Sequence, residues 1–119
     1  MSRGKPATQM TAGAYALSMS EIQLQTAIIG LAKQLGYLVY HTHDSRKSPE
    51  GFPDLVLVHK LTGRLIIVEL KDAKRKPTQA QLEWLGALHR TKVAPYVGLW
   101  RPEHWRSGAI EAVLKGAVT

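Results

Sequence analysis

Apolar side chains recur at a helical spacing directly after Ser20. Ser20 and Gln23 have the spacing of a capping box, in which each side chain accepts a hydrogen bond from the other residue's backbone N–H. The following residues place one apolar stripe along a helix, and Gly36 suits the position just beyond its end. The sequence therefore predicts a first helix that begins after Ser20 and ends before Gly36. The stripe consists of Leu24, Ile28, Leu31 and Leu35, with Ala27 and Ala32 at its edges.

Four later segments have the β-branched and aromatic composition of strands. The second and third flank Leu61-Thr62-Gly63, where Gly63 favours a tight reversal, so we expect them to pair as an antiparallel hairpin. Both are apolar at successive positions, which indicates strands that are covered on both faces. The turn-rich sequence DSRKSPEGFP precedes the hairpin. The predicted strands are Tyr37–His43, Asp54–His59, Arg64–Lys71 and Pro95–Arg101.

A second helix is predicted from Thr78, which has the capping-box spacing with Gln81. It continues to about Arg90, and the tail from Pro102 to Leu114 is predicted to add a short helix. The resulting order, α-β-β-β-α-β, predicts an α/β fold with one mixed four-stranded sheet flanked by helices. The apolar residues of the second helix are Leu82, Trp84, Leu85 and Leu88.

Composition narrows the class of protein. A chain of 119 residues with 45% hydrophobic and 21% charged residues has room for one globular domain. Sixteen Lys and Arg against nine Asp and Glu give a net charge of +7, which favours a polyanionic partner such as nucleic acid. The absence of cysteine excludes a disulfide scaffold and a thiolate zinc site. We expect residues 1–19 to form a flexible arm and residues 20–119 to form a single domain.

Two polar side chains lie on the apolar faces of the predicted helices. At about 100° per residue, Glu21 falls on the stripe that contains Leu24 and Ile28. Gln81 shares its face with Trp84 and the leucines beyond it. A carboxylate that faces the core needs a partner. Each residue also has a simpler explanation, because Glu in the first turn of a helix is favoured by the helix dipole and Gln81 can serve the capping box alone.

The predicted hairpin brings three further charged side chains together. Residues two apart on a strand share a face, so Glu69 and Lys71 project together from the end of the third strand. Pairing about a turn near residue 62 sets Asp54 opposite Glu69–Lys71. By itself, Asp54 after proline is typical of a turn or a strand edge. In this register, however, Asp54 and Glu69 converge within metal-bridging distance, with Lys71 beside them.

Such a cluster of carboxylates has a chemical use. Acids placed side by side in a core stay ionised only with a cation among them, and Mg²⁺ prefers carboxylate and water oxygens. A bound metal lowers the pKa of its water and neutralises charge while a phosphodiester is cleaved. Lys71 can position that water or stabilise the additional negative charge on phosphorus. The residues therefore favour a metal-dependent reaction on the phosphodiester backbone.

The same residues carry a family resemblance. Gly51-Phe52-Pro53-Asp54, fourteen further residues and then Glu69-Leu70-Lys71 resemble the PD-(D/E)XK nuclease signature. With Glu21 upstream and the TQAQLEWL helix downstream, residues 20–102 are similar to the VRR-NUC family of small, stand-alone phage and bacterial nucleases. The resemblance implies a restriction-endonuclease-like αβββαβ core and a metal-dependent endonuclease that uses Mg²⁺ or Mn²⁺.

The resemblance also implies roles for individual residues. Asp54 and Glu69 correspond to metal ligands, and the carbonyl of Leu70 to a third. Lys71 corresponds to the catalytic lysine. Glu21 corresponds to the acid of the first helix, which binds the metal directly or through water.

Gln81 corresponds to the family's helix glutamine, which orients the site, and its role in the capping box remains the alternative. Stand-alone members of the family are described as homodimers that cut structured DNA such as four-way (Holliday) junctions, whereas larger relatives act as flap nucleases. The resemblance therefore implies branched DNA as the partner and a homodimer as the assembly. It also implies location in the cytoplasm of a bacterium or a phage-infected cell.

Cations are concentrated in two loops beside the proposed site. Arg46 and Lys47 lie in the first loop, and Lys74, Arg75 and Lys76 in the second. A run of charge is often only a solvated loop. Here its position next to the acidic residues favours contacts with DNA phosphates.

Histidine and tryptophan add no second site. His41 and His43 share a strand face, but no further ligand has the spacing that a zinc site requires. The three tryptophans are better explained by a core or a dimer surface than by base stacking, because none lies in a basic loop. They are Trp84, Trp100 and Trp105.

Other functions remain open. A basic module with the nuclease fold but no useful turnover would bind DNA without cutting it, and without dependence on metal. A flap or nicking nuclease would keep the chemistry and change the substrate. Association with a membrane surface is opposed by the exposed face of the first helix, which carries Gln23, Thr26 and Gln34 rather than a basic stripe.

Overall fold

The computed structural model describes residues 19–42, 49–94 and 96–116. Most of the predicted arm, residues 1–18, lies outside the described residues, so the proposed division at residue 20 stays a prediction. No helix among the described residues is long and apolar enough to cross a membrane. The helices are α1 (Glu21–Gln34), α2 (Gln79–Thr91), α3 (Pro102–Arg106) and α4 (Ala109–Lys115). The strands are β1 (Tyr37–His41), β2 (Leu55–His59), β3 (Leu65–Leu70) and β4 (Tyr96–Trp100).

Helix α1 begins at the predicted capping box. The backbone N–H of Gln23 donates to the Ser20 hydroxyl at 3.0 Å, and the Ser20 N–H donates to the Gln23 side chain at 3.0 Å. These bonds satisfy two of the donors that every helix leaves open at its N-terminus. The buried side chains of α1 are Leu24, Ile28 and Ala32. Ala32 therefore lies within the buried stripe rather than at its edge, because it follows Leu24 and Ile28 at the same spacing of four residues.

The four strands form one mixed sheet in the order β1-β2-β3-β4. Strands β1, β2 and β3 are antiparallel neighbours, and β4 pairs with β3 in parallel. The predicted reversal between β2 and β3 is confirmed, since Gly63 adopts a φ of 73°, which glycine reaches without steric cost. Leu55 pairs with Val68, and this register places Asp54 level with Glu69. The fold class expected from the sequence is therefore confirmed.

The two faces of the sheet are covered unequally. On one face, α1 packs over a core that includes Leu55, Leu57, Ile66 and Val68, all fully buried. On β2, burial alternates, and Val56 is only half-buried. The expectation that the hairpin is covered on both faces is thus wrong for β2. Helix α2 contacts β3 and β4, and none of its side chains, all of which are described, is buried.

The C-terminal segment forms two short helices instead of the one predicted. Gly108 separates them with a φ of 85°, a left-handed conformation that ends α3 and redirects the chain into α4. Ile110 and Leu114 of α4 are fully buried in the core. The Tyr37 hydroxyl donates to the Leu114 carbonyl at 2.8 Å, which fixes the end of α4 to the start of β1.

Candidate active site

Asp54 and Glu69 meet at one end of the sheet, where β2 begins and β3 ends. The backbone N–H of Leu70 donates to Asp54 Oδ2 at 2.8 Å, so the aspartate is held by the strand that carries Glu69. The Asp54 side chain also acts directly on the carboxyl group of Glu69 and raises its pKa. The convergence that the hairpin register predicts is therefore present in the structure.

Glu69 lies in an environment that opposes its ionisation. The residue is 2% exposed. Burial and the adjacent charge of Asp54 raise the pKa of Glu69 from 4.5 to about 8, and the more distant Glu21 acts in the same direction. Lys71 opposes this shift. Two carboxyl groups in one buried site favour either a retained proton or a bound cation.

Lys71 lies beside this pair and is itself 4% exposed. Its Nζ is 3.8 Å from Glu69 Oε2. Its backbone N–H donates to the Trp100 carbonyl at 3.0 Å, which continues the pairing of β3 with β4 by one residue. The Lys71 ammonium group is thereby placed next to the Glu69 carboxyl group, just beyond the end of β3.

Glu21 points inward from the first turn of α1. Its Oε1 atom is buried and has no hydrogen-bond partner among the described residues. A buried carboxylate oxygen without a partner costs free energy, which favours an additional ligand at this position. The predicted inward orientation is thus observed, and the role of Glu21 at a metal stays a prediction.

Gln81 serves the N-terminus of α2. Its side chain accepts a hydrogen bond from the Thr78 N–H at 2.8 Å, while its own N–H donates to the Thr78 hydroxyl at 3.1 Å. The capping-box alternative from the sequence is therefore present. The proposed role of Gln81 in orienting the site stays a prediction.

The residues around Asp54 and Glu69 fit a hard divalent cation. Among the described residues, no three His, Cys, Asp or Glu side chains are arranged to hold a metal by themselves. Mg²⁺, however, commonly takes one or two carboxylates and completes its coordination with water and substrate oxygens. The carboxyl groups of Asp54 and Glu69 and the unpartnered Glu21 oxygen match that donor set, with the Leu70 carbonyl as a candidate backbone ligand.

The basic loop after β3, residues 71–76, is held in a defined shape. Asp72 Oδ1 accepts hydrogen bonds from the N–H groups of Lys74 and Arg75 at 2.9 and 2.8 Å. Burial raises the pKa of Asp72, but these hydrogen bonds and the charges of Arg75 and Arg101 outweigh it and lower the pKa below 3.8. Lys74, Arg75 and Lys76 are exposed, as phosphate contacts require.

Arg101 is a residue of this region that sequence reasoning missed. Its guanidinium Nη1 donates to the carbonyls of Asp72 at 2.8 Å and Arg75 at 2.7 Å, which ties the basic loop to the end of β4. Thr42 is a second such residue, because its N–H donates to the Asp54 carbonyl at 2.9 Å. No local pattern indicates either contact, since both partners are distant in sequence.

The remaining candidates are distributed as follows. Arg46, Lys47 and His43 lie outside the described residues, so their predicted roles are unchanged. Trp100 is buried in the core and donates to the Tyr96 hydroxyl at 2.9 Å, as the core interpretation predicts. Trp105 packs against the same core. Trp84 is only half-buried on α2.

A family model and a solved structure are similar to this chain. A family model described as VRR-NUC domain matches residues 9–97. A solved structure titled VRR_NUC domain superimposes with a TM-score of 0.58 at 23% sequence identity, and the alignment covers 80% of this chain and 94% of that chain. No curated protein sequence matches the chain.

Proposed function

Since the chain belongs to the VRR-NUC family, and so carries a nuclease domain, we propose that it is a metal-dependent endonuclease that hydrolyses phosphodiester bonds in DNA. The observation that carries this proposal is the contact between Asp54 and the buried Glu69, with Lys71 beside them. Glu69 and Lys71 are buried and Asp54 is half-buried. Burying ionisable groups at one end of a sheet costs folding free energy, and such groups are typical of functional sites.

We propose that Asp54, Glu69 and the Leu70 carbonyl hold Mg²⁺ or Mn²⁺, and that Glu21 contributes directly or through water. When bound, the cation lowers the pKa of a coordinated water and offsets the negative charge of the phosphate. The Leu70 N–H, through its bond to Asp54 Oδ2, keeps the aspartate aligned toward Glu69. The protein thus supplies a fixed pair of carboxylates rather than one that assembles on binding.

Lys71 acts on the substrate. Hydrolysis adds water across one P–O bond, with the hydroxyl going to phosphorus and the proton to the departing sugar oxygen. The Lys71 ammonium stabilises the additional negative charge on the phosphate oxygens during this step. Its burial strengthens that interaction, because the local dielectric constant is lower than that of water.

The basic loop binds the phosphates of DNA. We expect the triple variant Lys74→Ala, Arg75→Ala, Lys76→Ala to weaken binding to all DNA sequences and to flatten the salt dependence of the affinity. Each lost phosphate contact should reduce the logarithmic salt slope by about 0.9. Fluorescence anisotropy with two unrelated duplexes across a salt series measures both effects. An altered sequence preference with an unchanged slope would contradict the phosphate-binding role.

Branched DNA and a homodimer complete the proposal. A four-way junction presents two symmetric scissile positions, which suits two active sites related by a two-fold axis. We expect sedimentation to give twice the mass of the 13.2 kDa chain. A monomer at the concentration that supports cleavage would contradict paired cutting.

The decisive test uses labelled four-way junction, flap and plain duplex DNA with Mg²⁺, with Mn²⁺ and with chelator. Paired symmetric nicks in the junction that disappear with chelator would support a junction-resolving nuclease. Cleavage of flap or duplex would keep the chemistry and change the substrate. DNA binding without any metal-supported cut would favour the binding-module alternative.

A further inference from the structure

The segment before Asp54 is attached to helix α2 as well as to the sheet. The Trp84 indole Nε1–H donates to the Glu50 carbonyl at 3.1 Å. The rings of Phe52 and Trp84 lie edge to face, with centroids 5.1 Å apart and an interplanar angle of 78°. Trp84 therefore contacts the chain on both sides of Gly51, through one directional bond and one ring contact.

Gly51 allows this close approach. A Cβ atom at this position would lie 2.5 Å from the backbone carbon of Ala80 in the first turn of α2. Its φ of 91° is also a conformation that residues with a side chain rarely adopt. Two separate constraints thus require glycine where the segment passes α2.

We propose that Trp84 is a positioning residue for the Asp54 carboxylate. The inference rests on the proposed function, because it concerns the cation that Asp54 would hold. The contacts of Trp84 with Glu50 and Phe52, together with the Gly51–Ala80 contact, are called the α2 clamp below.

The clamp complements the contacts that Asp54 makes with the sheet. The Thr42 hydroxyl donates to the Pro53 carbonyl at 2.8 Å, and the Thr42 N–H donates to the Asp54 carbonyl at 2.9 Å. The Leu70 N–H donates to the Asp54 side chain. Pro53 is buried and its ring fixes φ, so it transmits the position of the clamped segment to Asp54. Residues that orient metal ligands without binding the metal commonly change metal affinity.

A conservative substitution tests the indole bond. Trp84→Phe removes the Nε1–H donor and keeps an aromatic ring against Phe52. We expect the dissociation constant for Mn²⁺ to rise roughly threefold to tenfold, as the loss of one hydrogen bond predicts. Calorimetric titration of the protein with Mn²⁺ in the absence of DNA measures this dissociation constant independently of cleavage. Trp105→Phe is the matched control, because Trp105 packs against the core from α3. The Mn²⁺ affinity of this variant should stay unchanged.

A pair of glycine variants tests the contact with α2. Gly51→Ala introduces both a positive-φ side chain and a clash with Ala80, and we expect it to weaken Mn²⁺ binding by roughly tenfold or more. Gly63→Ala has the same kind of φ, 73°, with no atom within 4 Å of the new Cβ, at the opposite end of the hairpin. Both variants should lower the melting temperature, and only Gly51→Ala should weaken Mn²⁺ binding.

The outcomes separate this inference from the proposed function. Weaker Mn²⁺ binding in Trp84→Phe, with DNA affinity in chelator unchanged, would support positioning. Wild-type Mn²⁺ affinity in folded Trp84→Phe would overturn it and leave the nuclease assignment intact. Equal loss of Mn²⁺ affinity in Trp105→Phe would also overturn it, because the effect would then follow general stability. A wild-type protein that binds no Mn²⁺ and cuts no DNA would remove both.

Discussion

Replacing Asp54 or Glu69 with alanine is expected to abolish DNA cleavage while DNA affinity is largely retained. Mutating a residue that only hydrogen-bonds to a metal ligand typically lowers activity by about ten- to a hundredfold. Loss of the ligand itself should therefore lower the cleavage rate by more than about a hundredfold. The phosphate contacts assigned to the basic loop are untouched by either change. Single-turnover cleavage and anisotropy on the same DNA measure the two properties separately.

Two further variants make this result specific. Asp54→Asn keeps an oxygen that accepts from the Leu70 N–H and removes the charge, so loss of cleavage in this variant cannot be attributed to a misplaced strand. Glu83→Gln removes one carboxylate from an exposed position on α2 and should cleave normally. Cleavage at the wild-type rate in Asp54→Ala or Glu69→Ala would remove the site assignment.

The pairing of Asp54 with Glu69 was predictable because it depends on short-range geometry. Gly63 fixes the turn, the turn fixes the register, and strand periodicity then fixes which side chains share a face. The inward direction of Glu21 was predictable for the same reason, since one helical turn separates it from Leu24. Local periodicity was therefore sufficient to predict the positions of most residues of the candidate site.

Contacts between distant segments were not predictable from the pattern. Arg101 reaches two backbone carbonyls of the basic loop, and Trp84 reaches the carbonyl of Glu50. A carbonyl acceptor has no sequence signature, because every residue has one. Such contacts become visible only when the packing of β4 and α2 is known.

The hydrophobic pattern of the strands also did not predict which faces of the sheet are covered. An apolar run on β2 is compatible with burial on both faces, yet helix α2 contacts β3 and β4, and Val56 is left half-buried. Leu38 and Tyr40 on β1 are each 60% exposed. The hydropathy of a strand indicates which side chains can be buried. Which of them are buried depends on where helix α2 packs.

The metal-free protein is expected to lose stability as pH rises, because Glu69 holds its proton more tightly in the folded state. Its pKa is raised from 4.5 to about 8 by burial, by Asp54 and by Glu21, against the opposing charge of Lys71. Between these values the folded state binds more protons than the unfolded state, so the free energy of unfolding falls with increasing pH. The contribution of this group is complete below pH 4.5 and is lost above about 8. The slope reaches at most about 1.4 kcal/mol per pH unit.

The comparison of wild type with Glu69→Gln isolates this contribution, since every other titratable residue is the same in both proteins. Urea unfolding in chelator, measured at about pH 5 and about pH 8, should show a larger decrease for the wild type than for Glu69→Gln. Glu83→Gln should keep the wild-type decrease. Parallel decreases in wild type and Glu69→Gln would contradict a proton held at Glu69. Mn²⁺ should restore stability most strongly at the higher pH, where the cation no longer competes with that proton for the carboxyl pair.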